Sequence, residues 1–420
     1  MEEHTRINQD LTRLLCSARK NTKEQDGVEL IAELKPSFQP RLYGSPGCET
    51  WSVCFSPDGA YFAWSSGYGI VRLLPWPLPP NLHGADCNSE EKTLDCGNTV
   101  WGMSFGPRSS HDVNSAPKSE SRHDLLLATG LNDGLIKVWV VSTGKLLFNL
   151  TGHKSVVRDL HFTPNGRLNL VSASRDKTLR VWDLEKKGTP SHVLTSPKYW
   201  QFKCSVSADS SMIASVCNLD SKVYLWSLRS YTLIRNLKYD DERTMVSCDF
   251  SMDGALLAVG SFRADTGWSL DLWDPYTADH LTKIMDCDMC VGGNNNILTA
   301  FCFSPVASHL AFKDYRVLQI WDLEQDKLVL ESDYSQVSGL CCAFHPHGIA
   351  IATGSRDGHV KFWRVPRLVS SLQHLCRTAL RYSVSTYQVR ALPLPKKTLE
   401  FLTYRSIPDK KILRCSKHYS

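Results

Sequence analysis

The sequence contains no long hydrophobic run and only a small excess of one charge. No stretch of about 18 apolar residues, the length needed to span a bilayer as a helix, occurs in the chain. The first residues, 1–6, are polar and lack the apolar core of a signal peptide, so secretion is not expected. Lys and Arg number 48 against 43 Asp and Glu, which leaves a net charge of +5 over 420 residues. An excess this small does not favour a nucleic-acid-binding protein, which usually carries a concentrated basic face.

Cysteine is frequent, but its pattern does not indicate disulfides or a metal site. The 15 Cys are odd in number and irregularly spaced, and several, such as Cys54 and Cys248, lie in apolar strand-like runs. We therefore expect buried thiols in a reducing compartment, the cytoplasm, with the nucleus as the alternative. Cys287 and Cys290 form an isolated Cys-x-x-Cys without the second ligand pair that zinc requires, so no metal is expected.

Motifs of the common enzyme classes are missing as well. The chain has no Gly-x-Ser-x-Gly, no His-Glu-x-x-His and no Gly-x-x-x-x-Gly-Lys-Ser/Thr. The run Gly-Gly-Asn-Asn-Asn within residues 286–296 lacks the strand and helix that flank a phosphate-binding loop. We therefore expect a non-catalytic protein without a cofactor. A catalytic pair assembled only by folding is the alternative that the sequence leaves open.

Tryptophan recurs at a regular interval along most of the chain. The residues are Trp139, Trp182, Trp226, Trp273, Trp321 and Trp363, separated by 43, 44, 47, 48 and 42 residues. Each ends a run in which apolar and polar residues alternate, and a degenerate earlier copy ends at Trp76. Alternation with period two predicts strands, and a repeat of roughly 40–45 residues with four strands is typical of a β-propeller blade. The sequence therefore predicts an all-β propeller of seven blades over residues 28–366.

Turn residues and a recurring aspartate agree with this period. Four predicted hairpin turns lie between strand runs, at 56–59, 163–166, 251–254 and 345–348, and each ends in Gly. An Asp precedes the Trp by six residues at Asp133, Asp176, Asp220 and Asp357, and by seven at Asp314. Two polar insertions, around 77–93 and 106–124, are predicted to be surface loops.

The third unit resembles the WD-repeat family. It carries Gly152 and His153 ahead of Asp176, and the closing pair Trp182 and Asp183. In that family a His, an Asp, a strand Ser or Thr and the Trp form a buried hydrogen-bond network within one blade. The resemblance implies such a network here, with Ser172 or Ser174 as the hydroxyl.

The last blade lacks an outer strand of its own. Trp363 is followed by Arg-Val-Pro366 instead of a further strand run, whereas residues 28–34 form an unassigned strand pattern near the N-terminus. We expect residues 28–34 to complete the seventh blade and to close the ring, because closure removes open sheet edges. Residues 1–27 are expected to be a flexible segment.

The hydrophobic period changes after Pro366, where short helices are predicted. An apolar stripe at helical spacing comprises Leu372, Leu375, Cys376, Ala379 and Leu380, and helical spacing returns at Leu399 and Leu402. Three short helices are too small to build a core of their own. Their apolar stripes must be covered by the propeller, as a helical cap, or by another protein, and the pattern alone leaves both open.

Two motifs in this part resemble the SOCS-box family. Ser371-Leu-x-x-x-Cys376-x-x-x-Leu380 resembles its elongin-binding box, and Leu392-Pro393-Leu394-Pro395 lies where that family carries its cullin-selecting motif. The resemblance implies a SOCS box over residues 367–405, followed by an unexplained tail, 406–420. It further implies binding of elongin C, with elongin B, through Leu372, Leu375, Cys376 and Leu380. Cullin-5, with its RING subunit, would be bound through Leu392, Pro393, Leu394 and Pro395.

A propeller followed by a SOCS box resembles the WD repeat and SOCS box-containing proteins. The resemblance implies a substrate-recognition subunit of an elongin B/C–cullin-5 E3 ubiquitin ligase, in which this chain performs no chemistry. Two alternatives remain at this point. One is a WD-repeat scaffold whose helical tail binds a partner outside ubiquitin transfer, and the other is a propeller associated with RNA or DNA.

Candidate substrate-binding residues lie where one rim of the propeller is expected. Arg175 and Arg356 immediately precede blade aspartates, and Arg158 and Trp200 lie near the start of inner strands. Arg suits bidentate binding of carboxylate or phosphate, and Trp is a common interface anchor, so an acidic or phosphorylated protein substrate is a candidate ligand. The alternative is that these arginines pair with neighbouring aspartates or remain solvated.

Overall fold

The structure is a computed structural model of the chain. It describes residues 29–36, 47–78, 91–106, 125–186, 189–195, 199–217, 219–263, 265, 267–287, 300–305, 309–313, 317–325, 327–332, 339–366, 372–384 and 386–406. Several expectations lie wholly or partly outside these residues: the segment 1–27, the insertions 77–93 and 106–124, the Cys287 and Cys290 pair, Asp314 and the tail 406–420. Within the described ranges, no helix is long and apolar enough to cross a membrane.

The described strands form seven four-stranded antiparallel sheets, each of which is one blade of a propeller. Six blades use consecutive strands, innermost first: β2–β5 (Val53–Phe55, Tyr61–Ser65, Ile70–Pro75, Lys92–Asp95), β6–β9 (Val100–Phe105, Leu126–Leu131, Ile136–Val140, Leu146–Leu150), β10–β13 (Val157–Phe162, Asn169–Ser174, Thr178–Asp183, Thr189–Thr195), β14–β17 (Gln201–Val206, Met212–Cys217, Lys222–Ser227, Leu233–Lys238), β18–β21 (Thr244–Phe250, Leu257–Arg263, Gly267–Asp274, Asp279–Cys287) and β22–β25 (Ala300–Phe303, His309–Lys313, Leu318–Asp322, Lys327–Glu331). The seventh joins β26 (Gly339–Phe344), β27 (Ala350–Ser355) and β28 (Val360–Arg364) to β1 (Leu30–Leu34). The predicted seven-bladed all-β propeller is therefore confirmed.

The seventh blade takes its outer strand from the N-terminal part of the chain. β1 runs antiparallel to β28, with Leu34 opposite Val360 and Ala32 opposite Phe362. Leu34 is only 3% exposed and packs in a core that includes Phe62 of the first blade. The pairing joins the two ends of the ring and covers the edge that β28 would otherwise expose.

Neighbouring blades are held together by shared apolar cores. Leu126 and Ile136 of the second blade, for example, pack with Val157, Leu160 and Trp182 of the third. Burial of one such side chain contributes about 1.5–3 kcal/mol to folding. Because each blade lends one face to each neighbour, an incomplete blade weakens the cores on both of its sides.

The hydrogen-bond network expected in the third blade is present. His153 Nδ1 donates to Asp176 Oδ2 at 2.8 Å, and Trp182 Nε1 donates to Ser172 Oγ at 2.9 Å. The Ser172 hydroxyl also lies 2.7 Å from His153 Nε2, whereas Ser174 donates to a backbone carbonyl, so Ser172 is the linking hydroxyl. Burial lowers the pKa of His153 despite the nearby Asp176 carboxylate, which keeps the ring neutral and lets Nε2 accept the Ser172 proton.

Three short helices follow the propeller: α1 (Leu372–Ser383), α2 (Thr386–Ala391) and α3 (Lys396–Leu402). They contact one face of the ring, at the turns between β18 and β19 and between β24 and β25. Tyr404, just after α3, is buried in the core between the fifth and sixth blades, and its hydroxyl donates to Asp253 Oδ2 at 2.6 Å. Arg405 forms an ion pair with Asp279 in the turn between β20 and β21. The predicted C-terminal helices are therefore present and are attached to the propeller.

Helix α1 turns its polar side toward the propeller. His374, Arg377 and Arg381, which recur every three or four residues, are buried, and His374 is 0% exposed. Glu324, in the turn between β24 and β25, places Oε1 2.6 Å from Arg377 Nη2 and 2.9 Å from His374 Nδ1. The Arg377 guanidinium carbon also lies 3.9 Å from the ring centroid of Tyr404. A charged stripe, instead of an apolar one, therefore fixes the position of α1.

We expect deletion of residues 1–34 to lower both the soluble yield and the midpoint of thermal unfolding. Loss of the buried Leu34 side chain alone costs about 2–5 kcal/mol, and the unpaired edge of β28 promotes aggregation. Deletion of residues 1–27, which retains β1, is the control. Equal yields and equal midpoints for the two deletions would contradict the structural role of β1.

We expect Arg377→Ala to loosen α1 without unfolding the propeller. The substitution removes a charge-assisted hydrogen bond to the partly exposed Glu324, a loss of about 1–3 kcal/mol. Hydrogen exchange should accelerate in 372–402 and stay unchanged in the strands. Lys396→Ala, which removes only a surface pair with Glu400, is the control. Unchanged protection of α1 in Arg377→Ala would show that Glu324 does not fix this helix.

Candidate functional site

The apolar side of α1 faces away from the ring. Leu372 is 76% exposed, Leu375 is 51% exposed, and Cys376 is exposed as well. We call these three residues the outer stripe. Ala379 is exposed and Leu380 is partly buried, so the predicted stripe lies mainly on the surface. An amphipathic helix usually buries its apolar side, and here the inward position is occupied by His374, Arg377 and Arg381.

This orientation decides between the two ways of covering the helical stripe that the sequence leaves open. A helical cap would have hidden the leucines against the blades, as Tyr404 is hidden. The outer stripe instead remains accessible, and it presents two leucines and a thiol to solvent on one side of a fixed helix. Accessible apolar surface on a helix of this kind is typical of helix-in-groove recognition by another protein.

The proline-rich segment between α2 and α3 is also on the surface. Pro393 and Pro395 are exposed, Leu394 is exposed to 36%, and Leu392 is partly buried. The two proline rings fix their own φ angles, and the Leu394 amide donates to the Leu392 carbonyl at 2.8 Å. The four residues therefore form a short, stiff surface segment beside the outer stripe in sequence.

A second candidate surface lies on the opposite face of the ring. Because successive strands in a blade are antiparallel, the turn between the second and third strands lies at the same end as the start of the first strand. Arg175, in the turn between β11 and β12, shares this rim with Arg158 in β10 and with Trp200 just before β14. The C-terminal helices contact turns at the other end of the blades, so the ring separates the two surfaces.

The structure brings three of the four predicted substrate-binding residues into one cluster. The Arg175 guanidinium carbon lies 5.3 Å from the ring centroid of Trp200 and 5.7 Å from that of Trp101. The Arg158 guanidinium carbon lies 4.2 Å from the Trp101 centroid and 4.5 Å from that of Phe202. We call these five residues the rim cluster.

Arg356 occupies a different part of the same rim. It is exposed in the turn between β27 and β28 of the seventh blade, whereas the rim cluster is built from the second, third and fourth blades. Arg356 therefore adds a separate positive charge to the rim and is not a member of the cluster.

Trp101 and Phe202 were not among the residues singled out from the sequence. Each is the second residue of an innermost strand, β6 and β14, and Arg158 has this position in β10. Alignment of the repeats on their innermost strands would therefore have placed all three side chains at the same height around the channel. The Trp period alone could not do so, because it marks the third strand of each blade.

The inner strands enclose a central cavity of about 630 Å³. Lys203 Nζ lies 3.0 Å from Asp159 Oδ1 inside it, and burial raises the pKa of Asp249. In the part of the chain that the structure describes, no group of three or more His, Cys, Asp or Glu side chains is placed to hold a metal ion. The absence of a catalytic function stays a prediction.

Comparison with known proteins identifies both parts of the chain. Residues 144–183 and 328–364 match the family model for the WD domain, G-beta repeat, and residues 368–403 match the model for the SOCS box. WD repeat and SOCS box-containing protein 1 of Homo sapiens is 41% identical over 430 residues, which cover 92% of this chain and 98% of that protein. The protein of the same name from Mus musculus is 42% identical with the same coverage.

The similarity extends to more distant vertebrates. WD repeat and SOCS box-containing protein 1 of Danio rerio is 40% identical over 431 residues, again covering 92% of this chain and 98% of that protein. The alignments span nearly the whole propeller together with the C-terminal helices, so they relate the complete arrangement and not only one repeat. The chain therefore belongs to the family of WD repeat and SOCS box-containing proteins.

Proposed function

We propose that this chain is the substrate-recognition subunit of an elongin B/C–cullin-5 E3 ubiquitin ligase and acts in the cytoplasm. Membership of the family supports the coarser role, a SOCS-box substrate receptor of a cullin ligase. The observation that carries the finer proposal is the outer stripe, Leu372, Leu375 and Cys376, which is exposed on a helix anchored through its opposite side.

Elongin C is the proposed partner of α1. Leu372 would enter an apolar groove as the principal anchor, and Cys376, one turn further, would act as a small apolar residue that allows close approach. Leu375 and the partly buried Leu380 would extend the contact along the helix. Elongin B would join the complex through elongin C.

Cullin-5, with its RING subunit, is the proposed partner of the segment Leu392–Pro395. The segment is exposed, and its prolines reduce the conformational entropy that is lost on binding. With the SOCS box assigned to residues 367–405 and the propeller to residues 28–366, each partner of the ligase has a surface of its own.

The propeller is proposed to bind the substrate through the rim that carries Arg158, Arg175, Trp200 and Arg356. This rim lies on the face opposite the C-terminal helices, so a bound substrate would not compete with elongin C for space. In this arrangement the chain performs no chemistry itself. It would hold a protein substrate near a ubiquitin-charged enzyme, and the rate of transfer would depend on that proximity.

We expect Leu372→Asp combined with Cys376→Asp to abolish capture of elongin C. Loss of an interface anchor costs at least about 2 kcal/mol, or some thirtyfold in affinity, and two buried carboxylates would cost more. The measurement is a titration of the full-length variant with purified elongin B–elongin C.

Leu233→Asp provides the matched control, because Leu233 is an exposed leucine on an outer strand of the propeller. The thermal midpoint of each variant checks its folding. If the double variant bound elongin C as tightly as the wild type does, the outer stripe would not be the contact, and the helices would serve another partner.

We expect replacement of Leu392, Pro393, Leu394 and Pro395 by alanine to weaken cullin-5 binding at least tenfold while elongin C binding is retained. The substitution removes apolar contact area and stiffness from an exposed segment that lies outside α1. Binding of cullin-5 to the purified ternary complex with elongin B and elongin C measures the effect. Loss of elongin binding, or unchanged cullin-5 binding, would contradict separate roles for the two motifs.

A further inference from the structure

Two arginines of the rim cluster share one aromatic neighbour. Trp101 lies beside the guanidinium groups of both Arg158 and Arg175, at 4.2 Å and 5.7 Å from ring centroid to guanidinium carbon. Phe202 flanks Arg158 on a further side, and Trp200 flanks Arg175. Contact with aromatic faces satisfies part of each cation but leaves its N–H groups without acceptors.

The acidic residues next to these arginines are engaged by other groups. Asp159 accepts hydrogen bonds from Lys203 Nζ and from the backbone amide of Cys204. Asp176 accepts from His153, as described above, and from a backbone amide. Because each carboxylate has partners elsewhere, the structure does not favour the alternative in which the rim arginines are neutralised by the neighbouring aspartates.

Both arginines retain unused hydrogen-bonding capacity. Arg158 Nε and Arg175 Nε are buried and have no hydrogen-bond acceptor among the residues that the structure describes. A buried donor without an acceptor costs about 1–3 kcal/mol. A ligand that supplies oxygen atoms at this position would recover that cost, and two guanidinium groups side by side offer such a ligand two sets of paired donors.

The charge at this position favours an anion with two negative charges. Burial, and then repulsion from Arg175, lower the pKa of Arg158 to about 10, while Asp159 opposes the change. The cluster therefore holds two adjacent like charges that one carboxylate would neutralise only in part. A phosphoryl group carries about −1.5 to −2 at neutral pH and matches both.

The aromatic part of the cluster is held in place before any ligand binds. Trp101 Nε1 donates to Asn132 Oδ1 at 3.0 Å, and the ring of Trp51 lies 4.5 Å from that of Trp101, centroid to centroid. The backbone positions of Arg158 and Phe202 are fixed by the innermost strands. A preorganised site of this kind loses little conformational entropy on binding.

Exposed apolar side chains lie on the same rim in the fourth blade. Trp200 is 47% exposed, and Leu219, in the turn between β15 and β16, is 66% exposed. Leu219 also has a left-handed backbone, with φ of 60°, which is strained for a leucine. These two residues can contact an apolar side chain that follows or precedes the anionic one in a bound peptide.

We propose that Arg158 and Arg175 bind the phosphoryl group of a phosphorylated protein substrate, and that Trp200 and Leu219 contact an apolar residue beside it. The inference rests on the proposed function, in which this rim receives the substrate. The site consists of two arginines in an aromatic frame and the chain has a net charge of only +5, so a phosphopeptide fits better than an RNA backbone, which needs a row of basic residues.

The test uses three peptide libraries on the full-length chain. They carry phosphoserine, glutamate or serine at one fixed position, with randomised residues around it. We expect at least tenfold stronger retention of the phosphoserine library than of the serine library, with apolar residues enriched beside the phosphoserine. Equal retention of phosphoserine and serine, or of phosphoserine and glutamate, would overturn the assignment, as would competition by single-stranded RNA that exceeds competition by phosphoserine peptides.

Arginine variants locate the binding. Arg175→Gln and Arg158→Gln should each weaken retention of the phosphoserine library about tenfold or more, since each removes charge-assisted hydrogen bonds. Arg229→Gln, at an exposed arginine on the opposite rim, should not. Arg175 lies in a surface turn, so its variant should fold, and its thermal midpoint checks this. Unchanged retention by folded Arg175→Gln would overturn the proposal.

The outcome is independent of the ligase interaction. The Leu372→Asp and Cys376→Asp double variant should retain the phosphoserine library as the wild type does. Loss of elongin binding by that variant with intact peptide binding supports both proposals. Failure of peptide binding in a chain that still captures elongin C would overturn the phosphoryl site alone.

Discussion

The placement of the C-terminal helices depends on one buried ion pair with an aromatic neighbour. Glu324 on the propeller contacts Arg377 and His374 of α1, and Tyr404 covers the Arg377 guanidinium. This contact satisfies charged groups that would be costly to bury alone, and it assigns the inward side of α1 to polar residues. The apolar residues of the helix are consequently left outside. Exposure of the outer stripe is thus a result of how the helix is attached, and not of missing structure around it.

The two functional surfaces are rigidly related because the ring between them is closed and shares its cores. The rim cluster belongs to the second, third and fourth blades, and the helices contact the opposite ends of the fifth and sixth blades. Each blade is packed on both neighbours, so a rotation of one surface relative to the other would have to break several apolar cores at once. For a substrate receptor, this fixes the direction in which a bound protein is presented.

The repeating parts of the structure could be predicted from the sequence, and the contacts between distant turns could not. The Trp period and the alternating runs predicted seven blades, because each blade buries its own third strand in the same way. Helical spacing likewise predicted the stripe of Leu372, Leu375 and Cys376. Its direction was not predictable, since the deciding partner, Glu324, lies in a turn about fifty residues earlier and has no pattern that links it to Arg377. Trp101 was missed for a related reason: its neighbours come from other blades.

The origin of β1 has a consequence for synthesis on the ribosome. Leu30–Leu34 emerges first but pairs with β28, whose last residue is Arg364. At about 5–20 residues per second, the early strand waits roughly 20–70 s for its partner. Leu372 follows Arg364 by only eight positions, so the nascent chain exposes its α1 leucine almost as soon as its circle can be completed. Quality control by chaperones and recruitment of ligase subunits would therefore meet the polypeptide in the same short interval.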